Sequence, residues 1–176
     1  GQEFALLCLA VQPRPDLDGV RDLLRRGIDG TLLLRLAERH GVRPGLIQCL
    51  AALSWQHVPT DLRRQLESFQ HHHLLRALAL ANELHRVARL FVQGGIAFAT
   101  FKGPSLALSL YGGLAAREYG DIDIVVHQDR VADAERLLAT LGYHLPGADP
   151  AYRRAFLGYQ RQYELLRDDG ESAIDL

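Results

Sequence analysis

Apolar residues in the first half of the chain recur at three- and four-residue intervals, the spacing of a helix with one buried stripe. "DGVRDLLRRG" (18–27) and "DGTLLLRLAERHG" (29–41) each carry this pattern and end at a glycine, the common helix stop. "RPGLIQCLAALSW" (43–55) follows, with an early proline suited to a first helical turn. A break at "HVPTD" offers Thr60 or Asp61 as a cap for a long helix over roughly 61–93. Leu66, Phe69, Leu74, Leu78, Leu84, Val87 and Leu90 are its expected buried stripe, and Gly94 and Gly95 its end.

Beyond Gly95 the period changes. "IAFATF" reads as a short strand, "KGP" as a break, and "SLALSLYGG" as a helix with Pro104 in its first turn. "DIDIVV" is a second strand, and "DRVADAERLLATLGY" an amphipathic helix. "YQRQYELLRD" and "ESAIDL" flank the turn "DDG" as a hairpin. The expected order is β-α-β-α-β-β behind an all-helical part, an α+β chain with a mixed sheet. The join is expected near Gly94, giving a helical region over 1–93 and an α/β core over 94–176.

Composition narrows the picture only a little. Of the 176 residues, 48% are hydrophobic, enough for a sizeable core. The formal net charge of −1 supplies no basic field, so nucleic acid is an unlikely partner. The opening "EFALLCLAV" is too short to span a bilayer and lacks the basic flank of a secretion signal. Cys8 and Cys49 belong to no metal-binding spacing and read as two buried thiols, so a cytoplasmic location is expected. The chain starts at Gly1, contains no Met and stops inside "SAIDL", so it reads as a fragment truncated at its C-terminal side.

Candidate chemistry lies in the second half. Asp121 and Asp123 stand one residue apart, so on a strand they share a face. Asp175 lies on a later strand able to pair beside them. Convergent carboxylates repel one another unless a cation sits between them, and an all-oxygen set suits Mg²⁺ or Mn²⁺. Upstream, "TFKGPS" joins a strand to a helix start, where backbone N–H groups and the helix dipole favour phosphate. Lys102, Gly103 and Ser105 are the candidate phosphate-binding residues there. Arg117 can pair with a phosphate or brace the carboxylates.

A D-x-D pair alone is weak, and several readings compete with a metal site. An EF-hand is excluded, because Val125 occupies a required ligand position. A D-x-D glycosyltransferase usually needs a Rossmann-like first half, where this chain is helical. The "HHH" run at 71–73 cannot converge on one ion from a helix and reads as a solvated surface. Lys102 can equally be a solvated strand end. Tyr111 reads as a packing residue, and Glu118 need not face the site. The paired arginines at 25–26, 63–64 and 153–154 read as solvated faces.

The run "FKGPSLALSLYGGLAAREYGDIDIVV" resembles the nucleotidyltransferase superfamily, in particular its largely uncharacterised bacterial branch with an LKG…LY…R…DIDLLV pattern. The resemblance covers residues 85–126 well and Asp175 loosely. It implies a minimal nucleotidyltransferase fold of the polymerase-β type, Mg²⁺-dependent nucleotide binding, and transfer of a nucleoside monophosphate from a triphosphate to an acceptor. By that resemblance Gly103 and Ser105 match the phosphate-binding motif, Asp121 and Asp123 the paired metal ligands, and Asp175 the third carboxylate. The acceptor (a protein, a sugar or another small molecule) is not named by the sequence. One departure is Pro104, which stands where the superfamily motif sets Gly or Ser and removes a backbone donor. Two further readings stay open: a non-catalytic nucleotide-binding module, as in a toxin–antitoxin-like pair, and a helical interaction scaffold.

Overall fold

The computed structural model describes residues 1–145, 164–170 and 172–176. Five helices come first: α1 (Gln2–Ala10), α2 (Leu17–Arg25), α3 (Gly30–Arg39), α4 (Arg43–Ala52) and α5 (Thr60–Gln93). Then follow β1 (Phe98–Thr100), α6 (Gly103–Tyr111), β2 (Ile122–Val126), α7 (Val131–Ala139), β3 (Tyr143–His144), β4 (Glu164–Arg167) and β5 (Ala173–Asp175). The fold is α+β, with a mixed sheet behind an all-helical N-terminal part.

The chain packs as two compact units, residues 1–77 with 111–118, and residues 78–110 with 119–176. Helix gives way to sheet at Gly94, as the change of period indicates, while the packing boundary falls inside α5.

In the first unit the caps are local and legible. The Asp16 carboxylate accepts from the Gly19 N–H, and Asp29 accepts from Leu32 N–H at 2.9 Å. Leucines at helical spacing then close one core, including Leu6, Leu33, Leu46, Leu50 and Leu66. Arg43 is half-buried. Its guanidinium lies 3.8 Å from the centre of the Phe69 ring and donates to Glu118, with Nη2 to Oε2 at 2.6 Å. Glu118 also accepts from the Arg43 backbone N–H, so the two residues are tied side chain to main chain as well.

Several sequence expectations are corrected here. Leu74 and Leu78 are exposed, at 43% and 48%, and do not belong to the buried stripe of α5. The stripe instead takes in Leu62, Leu66, His73, Ala77, Leu80, Glu83, Val87 and Phe91. Hydrophobicity alone misplaces it because two of its members are polar. His73 is buried against Phe69, its ring stacked at 5.2 Å, and its Nε2–H donates to the Arg117 carbonyl at 2.8 Å. Only His71 and His72 of the histidine run are solvated. Cys8 is exposed and Cys49 buried, so the expectation of two buried thiols holds for one. Tyr111 is 56% exposed, not packed. The arginine pairs at 25–26 and 63–64 are exposed as expected, while 153–154 lie outside the described residues.

In the second unit α5 ends at a left-handed Gly95, which lets the Ile96 N–H reach back to the Phe91 carbonyl at 2.9 Å. Ile96 is thereby returned to the core beside Val87 and Phe91. The sheet order is β1-β2-β5-β4-β3, with β2 and β5 parallel and the other neighbours antiparallel. β3 is an addition to the expected order. The sequence reads residues 129–143 as one helix, but α7 stops before Gly142, and the chain re-enters the sheet at Tyr143. Register gives the sheet two unlike faces. Ile122, Ile124, Ile174 and Leu165 are aligned across β2, β5 and β4, and all are buried in one core with Ala134 and Leu138 of α7.

Candidate active site

Alternation places the residues between those isoleucines on the opposite face. Asp123 on β2 is paired in register with Asp175 on β5, and Asp175 with Glu164 on β4. Three carboxyl-bearing positions therefore lie in a row across adjacent strands. Along the same face β1 contributes Ala99 opposite Val125, both exposed. Glu164 is exposed, Asp175 half-buried and Asp123 only 3% exposed.

Asp121 lies just before β2. Its carboxyl is held above the usual range, first by burial and then by the negative charges of Asp123 and Asp175, with Lys102 pulling the other way. The three sequence-predicted carboxylates are thus within electrostatic reach of one another. Among the described residues, no group of three acidic, histidine or cysteine side chains is drawn together as a ready-made metal cage.

The junction from β1 to α6 lies beside these carboxylates. Lys102 Nζ is 3.3 Å from Asp123 Oδ1 and 4.8 Å from the centre of the Phe101 ring. Gly103 has φ +55°, and a Cβ built there would sit 3.0 Å from the Asp121 carbonyl oxygen. Glycine is what lets α6 begin against the start of β2. Pro104 follows at the second position of α6, buried, where it offers no N–H. The Ser105 hydroxyl accepts from Thr100 Oγ1–H at 2.7 Å, tying the helix start to the end of β1. The Leu106 N–H donates to the Lys102 carbonyl, so the first turn of α6 closes on the lysine itself.

Arg117 belongs to the first unit, where its carbonyl is the partner of His73. Glu118, next to it, is engaged by Arg43. Glu164 was not among the sequence candidates. The signal was present: pairing "ELLR" with "AIDL" across the "DDG" turn sets Glu164 opposite Asp175.

An oxygen-only set of Asp121, Asp123 and Asp175, mutually repulsive and with the Lys102 ammonium beside Asp123, has the chemistry that could hold a hard divalent cation. Together with a mixed sheet preceded by a strand–glycine–helix turn, this defines a nucleotidyltransferase-type arrangement. The chain belongs to the family described as "Uncharacterised nucleotidyltransferase", whose model matches residues 26–176. No curated protein and no solved structure matches it. No helix among the described residues is long and apolar enough to cross a membrane.

Proposed function

We propose that this protein transfers a nucleoside monophosphate from a nucleoside triphosphate to an acceptor nucleophile, with Mg²⁺ or Mn²⁺ held by Asp121, Asp123 and Asp175. The observation that carries the reading is the in-register pairing of Asp123 with Asp175 on parallel strands, with Asp121 coupled to both by charge. When bound, the divalent ion supplies charge neutralisation on the phosphate oxygens.

Asp121 and Asp123 would hold the cation at the strand start, and Asp175 would complete that set or accept the proton of the acceptor hydroxyl. The acceptor oxygen attacks the α-phosphorus in line, a new P–O bond forms, and the bond to the β-phosphate oxygen breaks to release pyrophosphate. The start of α6 at Gly103 and Ser105, with Lys102, would meet the β- and γ-phosphates. Most of the acceleration is expected from positioning and preorganised charge. A net charge of −1 favours a protein, sugar or small-molecule acceptor over nucleic acid.

The test is calorimetric titration of ATP, GTP, CTP and UTP, with and without Mg²⁺, into the wild type and an Asp121→Asn/Asp123→Asn variant. Metal-dependent binding of a nucleotide, lost in the variant, supports the reading and selects the donor for an acceptor screen. Absence of binding by a folded wild type overturns it.

A further inference from the structure

Asp123 is a buried carboxylate whose polar partner among the described residues is a lysine ammonium at 3.3 Å. The two ends of that pair differ in character. The Asp123 side chain is 2% exposed on a strand held in register on both sides, whereas Lys102 is 51% exposed on a turn. From that position the Lys102 Nζ also lies 4.8 Å from the centre of the exposed Phe101 ring, a contact that keeps it at the surface. One partner is fixed, and the other is free to swing on a flexible stem.

We infer that Lys102 is an exchangeable counter-ion. Its ammonium neutralises Asp123 and would compete with a divalent cation for that carboxylate, leaving it for the triphosphate where the cation is bound. The inference rests on the metal reading of the preceding subsection and deepens it. The geometry favours exchange over a permanent bridge for two reasons. The contact is single and long, not bidentate, so it holds the lysine weakly. The lysine backbone is fixed by the bond from Leu106 N–H and the left-handed Gly103, so the swing needs only side-chain rotation.

A lysine that competes with metal and then serves phosphate has effects of opposite sign on the two ligands. A merely structural lysine weakens both or neither. The experiment is calorimetric titration of Mn²⁺ alone, and then of the chosen triphosphate in saturating Mn²⁺, into wild type, Lys102→Met, Lys102→Gln and Asp123→Asn. Removing one unit charge beside the ligand oxygen, partly screened at a half-exposed site, is expected to tighten Mn²⁺ binding by about five- to tenfold. Triphosphate binding to the loaded protein is expected to weaken by a similar factor. Lys102→Gln is read in the same way, and thermal unfolding reports whether each variant is folded. Mn²⁺ binding that is lost in Asp123→Asn yet unmoved or weakened by both Lys102 variants overturns the exchange while leaving the metal site standing. No Mn²⁺ binding by folded wild type or by either Lys102 variant overturns the metal reading, and this inference with it.

Discussion

Two buried carboxylates in the same structural unit are treated in opposite ways. Glu83, on the core-facing stripe of α5, is 3% exposed and closed off by three donors. Arg86 Nη1 reaches it at 2.7 Å, Arg167 Nη1 at 3.0 Å and the Tyr143 hydroxyl at 3.2 Å. Asp123 is equally buried but meets, among the described residues, one lysine at 3.3 Å, with two further carboxylates nearby. A buried charge surrounded by donors is finished structure, pinning α5 to β3 and β4. One surrounded by like charge is held in place by the fold at a cost that a cation would relieve. Burial alone therefore does not mark a functional carboxylate; the balance of donors around it does.

The sharpest break in this comparison is expected from neutralising each carboxylate. Asp123→Asn should lower nucleotidyl transfer by about a thousandfold or more, the scale of losing a preorganised electrostatic contact. Its unfolding free energy should be unchanged or slightly raised, because a repulsive buried charge is gone. Glu83→Ala should do the reverse. It removes the shared acceptor of Arg86, Arg167 and Tyr143 and is expected to destabilise by about 3 kcal/mol in urea unfolding. If Asp123→Asn destabilised as much as Glu83→Ala, the two sites would not differ in kind.

Gly103→Ala comes next. A methyl there meets the Asp121 carbonyl at 3.0 Å and must hold φ at +55°, with an expected loss of about 1–3 kcal/mol. Thermal unfolding checks the stability loss. Nucleotide titration shows whether displacing the start of α6 also weakens binding.

Which parts were legible in the sequence follows from how local their causes are. The helices α2 and α3, the long α5 and the DIDIVV strand rest on neighbours in sequence, and they appear where periodicity places them. Asp123 and Asp175 share a face because alternation is a local rule applied to two strands, and β5 pairs in parallel with β2. What failed depends on partners far along the chain. Glu83 resembles any helix-surface glutamate until Tyr143 and Arg167 arrive from 60 and more residues away. His73 and the Arg43–Glu118 pair are of the same type, the latter separated by 75 positions. β3, at two residues, is too short to show an alternation at all.

Tyr143 tests the finished side of the comparison more finely. Burial and then the Glu83 charge push its hydroxyl from the usual value to about 12. The folded state therefore holds this proton more tightly than the unfolded chain does. The stability it contributes is fully present below about pH 10 and is lost as pH rises from there toward 12. Tyr143→Phe should cost about 1 kcal/mol at neutral pH through the lost bond to Glu83. It should also flatten the alkaline fall in stability relative to wild type. An equally steep fall in both proteins, followed by urea unfolding at several pH values, would place the alkaline sensitivity elsewhere.

The smallest effect is expected at Glu164, the outermost carboxylate of the row, paired with Asp175 but exposed. Because its side chain is exposed, Glu164→Gln should shift unfolding by no more than about 0.5 kcal/mol. Its charge still adds to the field at Asp175, so Mn²⁺ binding should weaken by about two- to threefold, and less at high salt. An effect as large as that of Asp123→Asn would make Glu164 a direct ligand and move the centre of the site toward β4. No effect at low salt would confine the site to β2 and β5. Along the row the chemical loss thus follows burial, largest at Asp123 and smallest at Glu164, while the structural loss is small at both ends.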